Sequence, residues 1–133
     1  MKSIIWFRND LRIDDNPAMK AACDNLTEVH AIFLYSKDQL EKHNEANVKL
    51  DFLIENLKCL SNLLKELNIP LSIIDSKGFN EDSEIILKTV QERDIDKVFF
   101  NIFNELYTSF CILFLLDLSH LLNFSWVNVA NVC

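Results

Sequence analysis

Three groups of residues have types and spacings that could do chemistry. The first is Arg8, Asp10 and Arg12, on alternate positions of a turn that runs on into Asp14, Asp15 and Asn16. Cations and a carboxylate this close can hold a polar ligand or a second domain. They can equally satisfy one another and fix the loop, and the sequence leaves both readings open. The second group is His43 and Asn44, in a polar stretch from Ser36 to Asn47 that reads as a loop above a sheet. These two can reach down onto the sheet edge and touch a ligand, or stay solvated. The third is Asn101, Asn104 and Glu105, with Phe103 between them. Two amides and a carboxylate offer directional hydrogen bonds to a heteroaromatic ligand, and Phe103 offers a stacking face. Ordinary capping of a strand exit is the alternative.

No catalytic residue is assigned. No Ser-His-Asp or Cys-His pairing presents itself. The paired carboxylates, Asp14/Asp15 and Glu81/Asp82/Glu84, fall at helix starts, where capping and the helix dipole account for them. No metal ligand set is assigned either, because Cys23, Cys59, Cys111 and Cys133 are too widely spaced for a zinc pair. Cys23 and Cys59 are expected to be small buried thiols on helices.

The elements that must position these groups follow from hydrophobic periodicity. Ser3 to Phe7 is an apolar run read as a buried strand, and Asn16-Pro17 opens a helix, with Asn as cap and proline at the first helical position. Ala18 to Asn25 reads as a short helix with Met19, Ala22 and Cys23 on one face. Glu28 to Tyr35 is a second strand. The long helix from about Ala46 to Leu67 carries a leucine stripe at Leu50, Leu53, Leu57, Leu60, Leu64 and Leu67. Asn68 suits a left-handed cap, and Pro70 stops the helix. Leu71 to Ile74 is a third strand. Asn80 can cap a fourth helical segment whose Ile85, Ile86 and Val90 face inward, and Lys97 to Asn101 is a fourth strand.

Strand and helix therefore alternate, and the strands are apolar throughout. This predicts an α/β fold: a Rossmann-like open parallel sheet of about five strands, with right-handed crossovers and helices on both faces. The first turn and the fourth-strand exit then share one rim, at the carboxyl ends of the strands, where open α/β sheets bind ligands.

The 133 residues suffice for one domain with a real core. A net charge of −7 disfavours direct binding to a phosphate backbone. The single glycine, Gly78, excludes a phosphate loop or dinucleotide fingerprint. The amino terminus leads straight into a strand without a signal-peptide core, so a cytoplasmic, reducing location is expected.

Composition changes after Lys97, the last basic residue. From Leu106 to Cys133 the only charged residue is Asp117. The tail is apolar enough to raise a membrane span, but Asp117, His120, Asn123 and Asn128 interrupt it and no Lys or Arg flanks it. No membrane role is expected. Two readings stay open for 106–133: a helix and a last strand, Trp126 to Val132, completing the same domain, or truncated or frame-shifted sequence.

The contiguous run Trp6-Phe7-Arg8-Asn9-Asp10-Leu11-Arg12-Ile13-Asp14-Asp15-Asn16-Pro17-Ala18 resembles the opening signature of the DNA photolyase/cryptochrome family. His43-Asn44 after the second strand, the leucine-rich helix before Ile69-Pro70-Leu71, and Val98-Phe99-Phe100-Asn101 are similar to the folate-antenna photolyases, so the likeness covers about residues 3–105. It implies an N-terminal α/β domain that packs on a larger helical domain carrying FAD and damaged DNA. An antenna pigment, methenyl-folate rather than deazaflavin, would lie in the cleft between the two. The implied function is light-dependent repair of pyrimidine dimers, with cryptochrome signalling, another flavin- or nucleotide-binding α/β module, or a docking partner of a separate FAD domain as alternatives. Arg8, Asp10, His43, Asn44, Asn101, Asn104 and Glu105 are the implied pigment-side residues. Two departures are expected to matter. The family's Asn-Glu pair beyond the fourth strand is matched only by Glu105, and no FAD domain is present, so the chain alone is expected to be inactive.

Overall fold

Apolar runs with alternating faces build the sheet, and two helical layers close it. A computed structural model describes residues 1–24, 28–42, 47–101 and 125–129. His43, Asn44, Asn104, Glu105 and the helix expected between 106 and 124 lie outside the described residues. The element order is β1 (Lys2–Phe7), α1 (Pro17–Asp24), β2 (Glu28–Tyr35), α2 (Lys37–Lys42), α3 (Asn47–Glu66), β3 (Leu71–Asp75), α4 (Phe79–Arg93), β4 (Lys97–Asn101) and β5 (Ser125–Val129). The sheet has five strands in the order β3-β2-β1-β4-β5, and every pairing is parallel.

Because side chains alternate across a strand, each strand feeds two cores. Ile5, Phe7, Ala31, Phe33 and Phe99 face α1 and α3, where Ala18, Met19, Ala22, Leu60 and Leu64 meet them. Ile4, Trp6, Ile32, Val98 and Phe100 face α4, against Ile86 and Val90. Both faces are covered, as uninterrupted apolar strands require.

The structure corrects several local expectations. Residues 37–42 form a short helix instead of a loop. Its first backbone bond runs from Leu40 N to Ser36 O at 3.1 Å, and Lys37 N donates to Asp75 Oδ1 at 3.2 Å. The leucine stripe of α3 is buried only in its middle: Leu60 and Leu64 are enclosed, while Leu50 and Leu67 are 38% and 50% exposed. A 20-residue helix spans about 30 Å. The five-residue strand β3 beside it spans about 17 Å, so the helix ends overhang the sheet. Cys23 and Cys59 are exposed, not buried. Each follows or precedes a core residue by one helical step of about 100°, which carries it off the inward arc. Helix α4 starts one residue before Asn80 and is preceded by Gly78 at φ 148°, a backbone setting that favours glycine. Asn68 adopts the expected left-handed cap, φ 58°.

Among the described residues, no helix is long and apolar enough to cross a membrane.

Candidate functional site at the carboxyl rim of the sheet

The strand exits meet in two adjoining structures, a polar plug and an open cleft. The plug forms where β1 and β4 end beside the amino terminus of α1. That terminus has three early backbone positions to satisfy. Pro17 has no N–H. Ala18 N donates to Asn101 Oδ1 at 3.0 Å, and Met19 N donates to the capping Asn16 Oδ1 at 3.1 Å. Asp10 completes the arrangement. Its Oδ1 accepts the Arg8 backbone N–H at 3.0 Å, and its Oδ2 accepts from the side-chain amides of Asn101 and Asn16. Asn101 Nδ2 also donates to Asn16 Oδ1 at 2.8 Å, and Asn16 Nδ2 donates to Arg12 O at 2.9 Å. Asp10, Asn16 and Asn101 are all buried, and the negative charge of Asp10 sits favourably beside the positive end of α1.

The cleft lies on the other side of β1. It encloses about 630 Å³ above the exits of β1, β2 and β3, roofed by α2 and α3 and bounded by the start of α4. Its apolar walls include Trp6, Phe33, Leu40 and Phe52, and its polar groups include Arg8, Ser76 and Asp82. The Arg8 guanidinium carbon stands 5.4 Å from the Trp6 ring centroid, within cation–π range, and Trp6 in turn leans on Phe100 at 6.4 Å and 53°. The exits of β2 and β3 are tied together by Ser76 N donating to Tyr35 O at 2.6 Å. Burial pushes the Asp82 carboxyl above its ordinary range; a hydrogen bond from Ser76 and the charge of Arg8 oppose that rise. A cleft of this size, with aromatic walls and convergent polar groups in nearly equal share, has room for a small molecule.

The structure sorts the candidate residues. Arg8 and Asp10 both line the cleft, but the acceptor positions of Asp10 are occupied from within the protein. Asn101 is likewise engaged at both ends of its amide, so it shapes the rim through Asp10 and α1. Arg12 makes an exposed 3.9 Å pair with Asp15. Asp82 and Ser76 were not singled out from the sequence as ligand contacts. The available signal was position: both follow β3 at its carboxyl end, on the same rim as the first turn. The helix-start explanation of Asp82 concealed this.

Comparison with known proteins bears on the same region. The DNA photolyase family model matches residues 3–108. A deoxyribodipyrimidine photo-lyase of Salmonella typhimurium is 33% identical over 106 residues, covering 77% of this chain and 22% of that protein. Cryptochrome-2 of Arabidopsis thaliana is 34% identical over 106 residues, covering 80% of this chain and 16% of the other. Among solved structures, a Synechocystis cryptochrome superposes with a TM-score of 0.80 at 15% identity, covering 98% of this chain and 27% of that one. A Sulfolobus tokodaii photolyase, described with two FAD molecules, superposes at 0.77 and 19% identity, covering 98% and 29%. These two likenesses show a shared fold. The chain spans about a fifth of the length of the photolyases it matches, 22% of the Salmonella enzyme. The match over residues 3–108, with the signature turn that carries Arg8 and Asp10 at its centre, makes this chain a member of the DNA photolyase family.

Proposed function

We propose that this chain is the N-terminal, pigment-bearing α/β domain of a deoxyribodipyrimidine photolyase, an enzyme that uses light to split pyrimidine dimers in DNA. The observation that carries the reading is the family match over residues 3–108, joined to 33% identity with a named photolyase. The photolyase-like part is set at residues 1–105, and pairing of β5 with β4 supports reading Ser125–Val129 as the last strand of the same domain over part of a frame-shifted tail. The chain spans about a fifth of the length of the photolyase it matches, and these residues by themselves are read as inactive in repair. The net charge of −7 supports the absence of direct DNA contact. A cytoplasmic location is part of the same reading.

The bound group is an antenna pigment, methenyl-folate in preference to deazaflavin; when bound, it absorbs near-ultraviolet light and passes the excitation on. The fit is supported by the cleft itself: flat apolar walls, a cation at Arg8 and an acceptor at Asp82 suit a planar heteroaromatic ring. Arg8 contacts the ligand directly. Asp10 and Asn101 hold the rim in shape. His43, Asn44, Asn104 and Glu105 complete the folate side. Identity of 34% to a cryptochrome keeps a signalling role as the second reading, with docking on a separately encoded FAD domain as a further alternative.

The test is spectroscopic. The purified chain titrated with methenyl-tetrahydrofolate is expected to show a shifted near-ultraviolet band and quenched pigment emission. A chain that leaves the pigment spectrum unchanged sinks the antenna reading. Dimer splitting by the chain alone, with FAD supplied, sinks the assignment of inactivity.

A further inference from the structure

One acceptor on the cleft wall has no hydrogen-bond partner among the described residues. Asp82 lines the cleft, and its Oδ1 is buried without a hydrogen bond. Folded proteins satisfy most buried polar atoms, and an orphan of this kind is costly unless something else completes it. Service to the dipole of α4 does not explain it, because a carboxylate does that at the exposed surface. Glu81, one position earlier, already takes the Lys77 N–H at 3.2 Å. Nor can Ser76 complete it. That hydroxyl has one proton, already 3.3 Å from Tyr35 O, and Asp82 shares it. The guanidinium of Arg8 acts on Asp82 from the same cleft, and the facing wall offers the flat surfaces of Trp6 and Phe52.

We propose that Asp82 is the specificity-determining residue of the cleft: its Oδ1 accepts the ring N–H of a planar heteroaromatic ligand whose neighbouring carbonyl faces Arg8. The ligand class is thus a ring with an amide-type edge, a donor beside an acceptor, as in a pteridinone or an isoalloxazine. This rests on the reading of the cleft as the pigment site. It adds a residue and a rule of selection. Rings alkylated at that nitrogen, or lacking the N–H, are rejected because they leave Asp82 buried and unmatched. A site built to hydrogen-bond a ligand N–H discriminates strongly against analogues that lack it.

The experiment compares lumiflavin with 3-methyl-lumiflavin on the full chain, by quenching of flavin fluorescence. The unmodified protein is expected to bind lumiflavin tenfold or more tightly, on the order expected for a hydrogen bond to a charged acceptor. In Asp82→Leu, which keeps bulk and removes the acceptor, lumiflavin is expected to weaken about tenfold. The methylated ring should be unaffected, so the preference disappears. A preference that survives Asp82→Leu, or equal binding of both rings by the unmodified protein, overturns the role of Asp82 while leaving the cleft a flavin-type site. Binding of neither ring overturns the inference, while the methenyl-tetrahydrofolate titration decides the pigment reading separately. Because the two rings are first compared on the unmodified protein, the outcome does not depend on a variant that folds.

Discussion

Asn101 and Asp10, 91 residues apart in the chain, meet side chain to side chain beneath the rim of the sheet. The contact joins the exits of β1 and β4. Through Ala18 N, the other end of the same amide holds the amino terminus of α1. Replacing Asn101 with Ala strips Asp10 of a donor and leaves the Ala18 N–H without an acceptor. The orphaned Ala18 N–H costs about 1–3 kcal/mol and the lost bond to Asp10 about 1 kcal/mol more, so a loss of about 2–4 kcal/mol is expected in urea denaturation. A loss below about 0.5 kcal/mol, the range of neutral surface changes, would contradict the role given to this amide.

Asn16 is both the cap of α1 and the second arm of that network. Asn16→Ala is expected to destabilise by about 1–2 kcal/mol, the upper range for a lost cap. The double variant Asn16→Ala with Asn101→Ala should fall short of the summed single losses by about 0.5 kcal/mol or more, since the two amides share a bond. Simple additivity would mean the network is a set of separate contacts.

Asp82 predicts a pH dependence. Burial raises its folded pKa above the unfolded value, so the carboxylate is less favourable in the fold than in the unfolded chain. Its contribution to stability is then fully present below the unfolded aspartate value of about 3.9 and is lost as pH rises through the folded pKa. Asp82→Asn removes that loss while keeping the shape. The variant should gain stability over the parent as pH rises from about 3.5 to 7, and the two should converge at the acid end. Paired urea midpoints across that range check it; a variant less stable at pH 7 than at the acid end, relative to the parent, reverses the sign and rejects the argument.

Helix α3 offers a contrast between neighbours. Leu64 is fully buried, whereas Leu63 is 40% exposed. Leu64→Ala is expected to cost about 3–5 kcal/mol, and Leu63→Ala under about 1 kcal/mol. Thermal melts of the two variants measure the difference, and equal costs would mean that α3 sits on the sheet by another face.

The sheet was legible because its strands are short apolar runs closed by polar residues. Glu28 to Tyr35 and Lys97 to Asn101 were bounded to the residue, and Asn16-Pro17 announced α1 through cap chemistry that needs no tertiary contact. What escaped depends on distant partners. Residues 37–42 show no stripe because so short a helix carries a single apolar residue, Leu40, and its start is fixed by Asp75, 38 positions away. Leu50 and Leu67 obey helical spacing but overhang the sheet, which no local pattern reveals. Asp10 and Asn101 look like ligand contacts by type and position. Only the approach of β4 to α1 shows their hydrogen bonds spent within the fold. Asp82 is the converse case, a residue explained locally by its helix and left unmatched by the tertiary structure.

The strand order β3-β2-β1-β4-β5 reverses direction between β1 and β4. Doubly wound sheets open a crevice at such a reversal, where neighbouring crossovers part to opposite faces. In this chain Asp10, Asn16 and Asn101 fill that gap, and the open cleft lies one strand over, on the β1–β2–β3 side. Damage at Asn16 should act chiefly on the seating of α1, which it caps, while changes at Asp82 should alter what enters the cleft without unseating α1.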